Sequence, residues 1–216
     1  MDAVIPALFA SAPALLPFDT SLSIRAFLLQ RPHGNLLVYR ADTLEQDSEA
    51  VDELGGVACQ YLNHRHEASF SSDWVANRFG APLLVHEAEA PDVSKSSDVD
   101  ETFAERHRLG DDFEVIPTPG HTSGATAFLW DSGQHRALFT GDTIYFREGE
   151  WAAAVLGFSD RERYIESLEL IRGLDFDVVV PWAATVGEPA HAVVDRPEAE
   201  QRIDAILERV RGGQGH

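Results

Sequence analysis

A chain of 216 residues with 44% apolar side chains is long enough for one sizeable core and too apolar for global disorder. Its 36 acidic residues stand against 16 Arg and one Lys (Lys95), a net charge of −19 that disfavours nucleic acid or an anionic membrane surface as a partner. A single cysteine, Cys59, excludes an intrachain disulfide and fits a reducing compartment, and no apolar run has the length of a membrane span.

Residues 1–20 form an apolar, proline-interrupted arm. It carries Asp2 where a secretory leader has basic residues, so a cytoplasmic protein is expected. Residues 22–29 and 35–39 read as two strands joined through Arg31-Pro32-His33-Gly34 into a hairpin. Helical spacing over 44–54 stops at Gly55-Gly56, and 57–62 reads as a buried strand in which Cys59 is a structural thiol without a cationic neighbour. Ser71-Ser72 predict the cap of a short helix through Phe79, closed by Gly80, with a strand at 81–85. Residues 91–100 have no period and read as a loop. Strands are expected at 113–117, 125–130 and 136–140, each delivering the chain to a polar, glycine-bearing turn. Asp160 predicts a capped helix with Tyr164, Ile165, Leu168 and Ile171 on one face, ended by Gly173; 177–180 is the last strand. Asp195 and Pro197 open a C-terminal helix within 195–212, whose stripe is Ala199, Ile203, Ile206, Leu207 and Val210. No linker composition intervenes, so 1–216 reads as a single domain of sheets covered by outer helices.

Three of the strand-end turns carry metal-capable groups. They are His64-Arg65-His66, then Pro119-Gly120-His121-Thr122-Ser123-Gly124, then Thr140-Gly141-Asp142-Thr143. Three imidazoles and a carboxylate suit Zn²⁺ or Fe²⁺ better than Ca²⁺ or Mg²⁺, which prefer oxygen ligands. The glycines beside His121 and Asp142 permit tight turns that present a ligand without Cβ crowding.

These three turns together resemble the metallo-β-lactamase superfamily. His64-Arg65-His66 is similar to the start of its His-x-His-x-Asp-His signature, Pro119-Gly120-His121 to its third-ligand turn, and Thr140-Gly141-Asp142 to its bridging-carboxylate turn. The resemblance runs from about Ser23 to Pro181. It implies an α+β fold, a four-layer αβ/βα sandwich with the site at the edge of two sheets, and, by size, the glyoxalase-II-like branch. The departures are Ala68 and Ser69 where the family has Asp and His, and Trp182-Ala183 where it closes the site with Gly-His. All three missing ligands belong to the second metal position, while His64, His66, His121 and Asp142 complete the first.

The resemblance therefore implies a mononuclear hydrolase holding one zinc (the alternative is one iron), attacking an ester, thioester or amide of a small-molecule substrate with a metal-bound hydroxide. Asp142 would orient or deprotonate that water, and Glu67 is weighed as a substitute base against a solvated or supporting role. An oxidoreductase of the persulfide-dioxygenase type would use His64, His121 and Asp142 as a facial triad around iron. A non-catalytic member of the fold is the third reading. His191 is weighed as a replacement for the lost histidine. His86 is read as a packed or supporting residue, and His33, His107, His135 and His216 as solvated. Trp182 is expected to fill the volume vacated by the second metal. Phe146 and Trp151 are read as packing residues before pocket-lining ones.

Overall fold

The structure, a computed structural model, describes residues 1–40 and 42–215. Its elements in chain order begin with β1 (Asp2–Ile5), β2 (Leu8–Ala10), β3 (Ala14–Leu16), β4 (Asp19–Ile24), β5 (Phe27–Leu29) and β6 (Leu36–Val38). A 3-10 turn leads to α1 (Ser48–Glu53), β7 (Cys59–Tyr61), α2 (Ser71–Phe79), β8 (Leu83–His86), α3 (Ala90–Val93) and β9 (Glu101–Phe103). Then come β10 (His107–Leu109), β11 (Phe113–Pro117), β12 (Thr126–Asp131), β13 (Arg136–Gly141) and the hairpin β14 (Tyr145–Arg147) and β15 (Glu150–Ala152). The chain ends with α4 (Arg161–Arg172), β16 (Val178–Pro181), β17 (Ala183–Thr185), β18 (Ala192–Val193) and α5 (Arg196–Arg211).

Among the described residues one large sheet has the order β1-β2-β5-β6-β7-β8-β9 and the other β10-β11-β12-β13-β16-β18. The first sheet is antiparallel as far as β6 and parallel from β6 to β9. The period-two alternation of its strands builds the layers. Phe27, Leu29, Leu36 and Val38 face the second sheet, whereas Ala26, Leu28 and Leu37 face outward onto Leu44, Val51 and Val75 under α1 and α2. Aromatic rings lock the sheets together: Phe27, Tyr39 and Phe139 meet edge to face at centroid distances of 5.9–6.0 Å, and Tyr61 lies 5.4 Å from Phe128. The outer layer of the second sheet is α4 and α5, each started by an aspartate side chain that accepts a backbone N–H, Asp160 from Arg163 and Asp195 from Glu198. Their buried stripes contain Tyr164, Leu168 and Ile171, and Ile203, Ile206 and Val210. The result is the expected α+β, four-layer αβ/βα sandwich.

Four local expectations are corrected. The run 22–29 is not one strand: it breaks at Arg25-Ala26, so that β4 joins a small sheet with β3 and β17 while β5 forms the hairpin with β6. The arm within 1–20 is folded into β1, β2 and β3, because its prolines fall between the short pairing segments. The loop assigned to 91–100 starts as a helical turn, α3, with Pro91 in its first turn, where a missing N–H costs nothing. Ser71 and Ser72 are the first helical residues of α2 rather than its caps; Gly80 does close it, at φ +69°. Among the described residues no helix is long and apolar enough to cross a membrane.

Candidate metal centre

The donors are delivered by three turns at the edge where the two sheets meet. The first follows β7, where Thr126 N donates to Asn63 O at 3.0 Å and the Asn63 amide donates back to Thr126 O, stitching one sheet to the other. His64 is extended, and the 3-10 turn Arg65–Glu67 folds back behind it, bringing His64 and His66 to one side. The second turn follows β11. Gly120 sits at φ +142°, and a Cβ there would overlap the Tyr164 backbone, so the close approach of α4 demands glycine. Asp160 N donates to Gly120 O (2.9 Å) and Ser159 Oγ to His121 O (2.9 Å). The third turn follows β13, where Gly141, at φ +55°, lies flat against the Asn63 side chain.

Buried hydroxyls and one carboxylate tie these turns to each other. Tyr39 Oη donates to Val180 O (2.6 Å) and accepts from Gly141 N (2.9 Å). Tyr164 Oη lies 2.8 Å from both Asp142 O and Thr143 O and accepts from Ala154 N at 3.0 Å. Glu89, almost fully buried, accepts from Arg65 N through one oxygen (2.8 Å) and from Gly124 N through the other (2.7 Å), clamping the first turn to the second. None of these supports carried a signal in the sequence, since each acts from a distant segment.

His64, His66, His121 and Asp142 converge so that one ligand atom from each lies within 4.8 Å of the others. His66 Nδ1 faces His121 Nε2 at 3.0 Å, and Asp142 Oδ2 lies 3.3 Å from His64 Nε2 and 3.4 Å from His121 Nε2. Each far nitrogen of the two buried rings is spoken for. His121 Nδ1 donates to Ala154 O at 2.6 Å, and His64 Nδ1 lies 3.0 Å from Glu67 Oε1. These outer bonds hold a proton on each Nδ1 and aim each Nε2 inward, the orientation of a metal-ligating histidine. His64 Nε2 is buried with the Asp142 carboxylate 3.3 Å away, a nitrogen and an oxygen held where one cation would be bound by both. The donor set therefore fits one tetrahedral-type ion of the zinc or iron kind.

Charge inside the cluster is sharply divided. Burial pulls the His64 imidazole down, but the carboxylates of Asp142 and Glu67 outweigh it and raise it to about 10. Burial and the neighbouring His64 charge lower His66 to about 3, and burial lowers His121 to about 4 against the pull of Asp142. Asp142 is pushed up by burial but held at about 2 by the histidines, His64 above all. At neutral pH the metal-free group thus holds one imidazolium, His64, beside one carboxylate, Asp142, and two neutral imidazoles.

The second-metal positions have gone over to packing. Ala68 packs against the cluster of Leu62, Leu83, Val85 and Val93. Ser69 Oγ turns away to donate to Asp42 Oδ1 at 2.6 Å. Trp182 is fully buried edge-on to the His64 ring, at 5.5 Å between centroids. Glu67, weighed as a base, is corrected to a supporting role: it is fully buried behind His64, with one oxygen on that ring and the other accepting from Asn63 N at 3.0 Å. His191 stands outside the donor group, lining another cavity with Phe146 and Trp151, which stack on each other at 5.8 Å. His86 is packed edge-on against Phe103 and accepts from Ala88 N. His135 is bonded to Asp177, and His107 Nδ1 donates to Glu105 O. Burial raises the Cys59 thiol to about 11, as expected of a structural cysteine. His216 lies outside the described residues.

A cleft of about 460 Å³ opens over His66 and Asp142, with Leu16, Phe18, Leu22 and Leu156 in its walls and Asp19 and Arg147 at its rim. Comparison with known proteins agrees with this geometry. The chain is 28% identical over 123 residues to the uncharacterized protein YmaE of Bacillus subtilis, a match covering 55% of the chain and 44% of that protein, so the chain spans less than half the length of this curated relative. Its fold is similar to a metallo-beta-lactamase from Pontibacter korlensis (TM-score 0.72, 17% identity, 97% of both chains covered). It is also similar to TTHA1623 in a di-iron-bound form (TM-score 0.63, 20% identity, 79% of this chain and 90% of that one covered). The family model for the metallo-beta-lactamase superfamily matches residues 37–183, the stretch that contains all three ligand turns, and this chain belongs to that superfamily.

Proposed function

We propose that this protein is a mononuclear metal-dependent hydrolase that cleaves an ester, thioester or amide of a small molecule. The observation that carries the reading is the asymmetry of the site. His64, His66, His121 and Asp142 converge with oriented rings, while Ala68, Ser69 and Ala183 supply no donor: Ala68 is packed, Ser69 turns to Asp42 and Ala183 only lines the cleft. A divalent ion held by His64, His66 and His121, with Asp142 bound weakly or swung aside to leave a position open, would supply Lewis acidity and lower the pKa of a water there toward ~7. Glu67 and Ala154 O hold the His64 and His121 rings in the ligating orientation. Asp142 and His66 line the cleft, so the carboxylate meets the incoming water and substrate carbonyl and is positioned to orient that water. The net charge of −19 supports a small-molecule substrate and a soluble setting rather than nucleic acid or anionic lipid.

Elemental analysis of protein purified without a His-tag tests the reading together with ester hydrolysis. About one zinc per chain is expected, with activity abolished by a chelator and by His121→Ala. About one iron with oxygen consumption selects the oxidoreductase instead, and two tightly held ions per chain contradict the mononuclear site.

A further inference from the structure

We infer that the substrate of this site carries an uncharged, apolar acyl group of medium length, lodged between the N-terminal hairpin and the segment after β15. The inference rests on the hydrolytic reading above. The cleft, at about 460 Å³, falls in the range of sites for drug-sized ligands, about 300–1,000 Å³. Its polar lining is His66 and Asp142, where a carbonyl reacts, together with Asp19, Tyr145 and Arg147. The remaining walls are apolar. Leu16, Phe18 and Leu22 come from β3, β4 and the turn between them, Leu156 from the opposite side, and Ala183 from the position whose small side chain leaves the wall open.

Two further observations define what those walls accept. Phe18 is 72% exposed and Leu156 37%, yet both line this one cleft, and Phe158, 57% exposed, meets the His66 ring at 5.6 Å and lies under the Arg65 guanidinium at 5.2 Å. Grouped apolar exposure of this kind marks a surface that a ligand covers. Arg147, in turn, is not a free anion receptor. Its Nη1 lies 3.6 Å from Asp19 Oδ2, and Asp19 is fixed there by Ser21 N at 3.1 Å and Ser21 Oγ at 2.5 Å. An incoming carboxylate therefore meets a carboxylate already in place, on a chain that is strongly negative overall. The reaction is addition of water to the acyl carbonyl and rupture of its bond to oxygen, sulfur or nitrogen. The apolar acid stays in the cleft, and the leaving group takes the proton.

The metal-loaded full chain is assayed with p-nitrophenyl acetate, butyrate, hexanoate and octanoate, and with the hemisuccinate as a charged counterpart of the butyrate. kcat/KM is expected to rise about threefold to fourfold per added methylene until the cleft is filled. The hemisuccinate should fall at least tenfold below the butyrate, and Phe18→Ala should reduce the octanoate-to-acetate ratio several-fold. Calorimetric binding of octanamide, which keeps the acyl group and whose ammonia is a far poorer leaving group than p-nitrophenolate, should weaken about tenfold in the same variant. Turnover of acetate with no chain-length preference, or a preference for the hemisuccinate, overturns the inference and leaves hydrolysis standing. Absence of all ester turnover with octanamide still bound in a Phe18-dependent way overturns the hydrolytic reading alone. Failure of octanamide to bind overturns the inference directly.

Discussion

Glu67 sits between two residues of very different setting: His66, which belongs to the candidate donor group, and Ala68, which packs in an apolar cluster. Its carboxylate is buried, raised in pKa by that burial against the pull of His64, and spent on the His64 ring and Asn63 N. Removing it frees the ring to rotate, so Glu67→Ala should weaken metal affinity about 10–100-fold, measured by competition with a chromogenic chelator. A general base would instead show itself as lost kcat at saturating metal. A second expectation concerns the His64 proton. His64, raised to about 10, is protonated at pH 7.5 in the metal-free cluster, while His66 and His121, lowered to about 3 and 4, are neutral and Asp142 is ionised. Since a folded-state pKa above the ordinary value stabilises the metal-free protein fully below about 6.5, that contribution fades as pH rises through about 10. Binding a divalent ion at pH 7.5 should then release about one proton per ion, read from calorimetric heats in buffers of different ionisation enthalpy. The convergence of these four side chains was legible because each follows an apolar strand, with glycine beside His121 and Asp142. The role of Glu67 was not, because spacing places a side chain on the chain without saying which way it turns.

The ligand turns owe their fixity to elements that sequence order keeps far apart. Glu89, just ahead of α3, joins Arg65 N to Gly124 N, yet it lies beside a stretch that reads as structureless because a four-residue helix has no period to detect. Glu89→Ala leaves two turn N–H groups without their acceptor and should cost about 1–3 kcal/mol in urea unfolding, together with lowered metal affinity; Glu89→Gln, which keeps one acceptor oxygen, should recover part of both. The strand break at Arg25-Ala26 was hidden for a similar reason: an unbroken apolar run cannot reveal that its two halves pair in different sheets. The helices α4 and α5, by contrast, announced themselves through aspartate caps and 3.6-residue stripes. Reversal of the lost second site is also an element-scale matter. Ala68 now belongs to the apolar cluster of Leu62 and Val85, so Ala68→Asp should lower stability by about 1–3 kcal/mol, and elemental analysis should find no added metal.

Across the whole molecule the charge balance is lopsided. Arginines on the surface are extensively paired, as Arg78 is with Asp52, Arg106 with Glu114 and Arg172 with Asp204, but 17 cationic residues cannot neutralise 36 acidic ones. Exposed pairs are worth about 0–1 kcal/mol each, whereas the unpaired excess repels itself over the whole surface. Added salt screens both, and the excess dominates, so the melting temperature should climb between dilute buffer and molar sodium chloride. A flat response would point to genome composition as the source of the Lys scarcity.

The donors are drawn from both halves of the sandwich: His64 and His66 follow a strand of one sheet, and His121 and Asp142 follow strands of the other. An ion bound there is a clasp on the open edge of a closed book. At a hundredfold excess over its Kd it lowers the population of opened chains about a hundredfold. Limited proteolysis in the regime where cleavage follows that population should accelerate by up to the same factor when a chelator is added. Metal supply would then govern how long each copy survives.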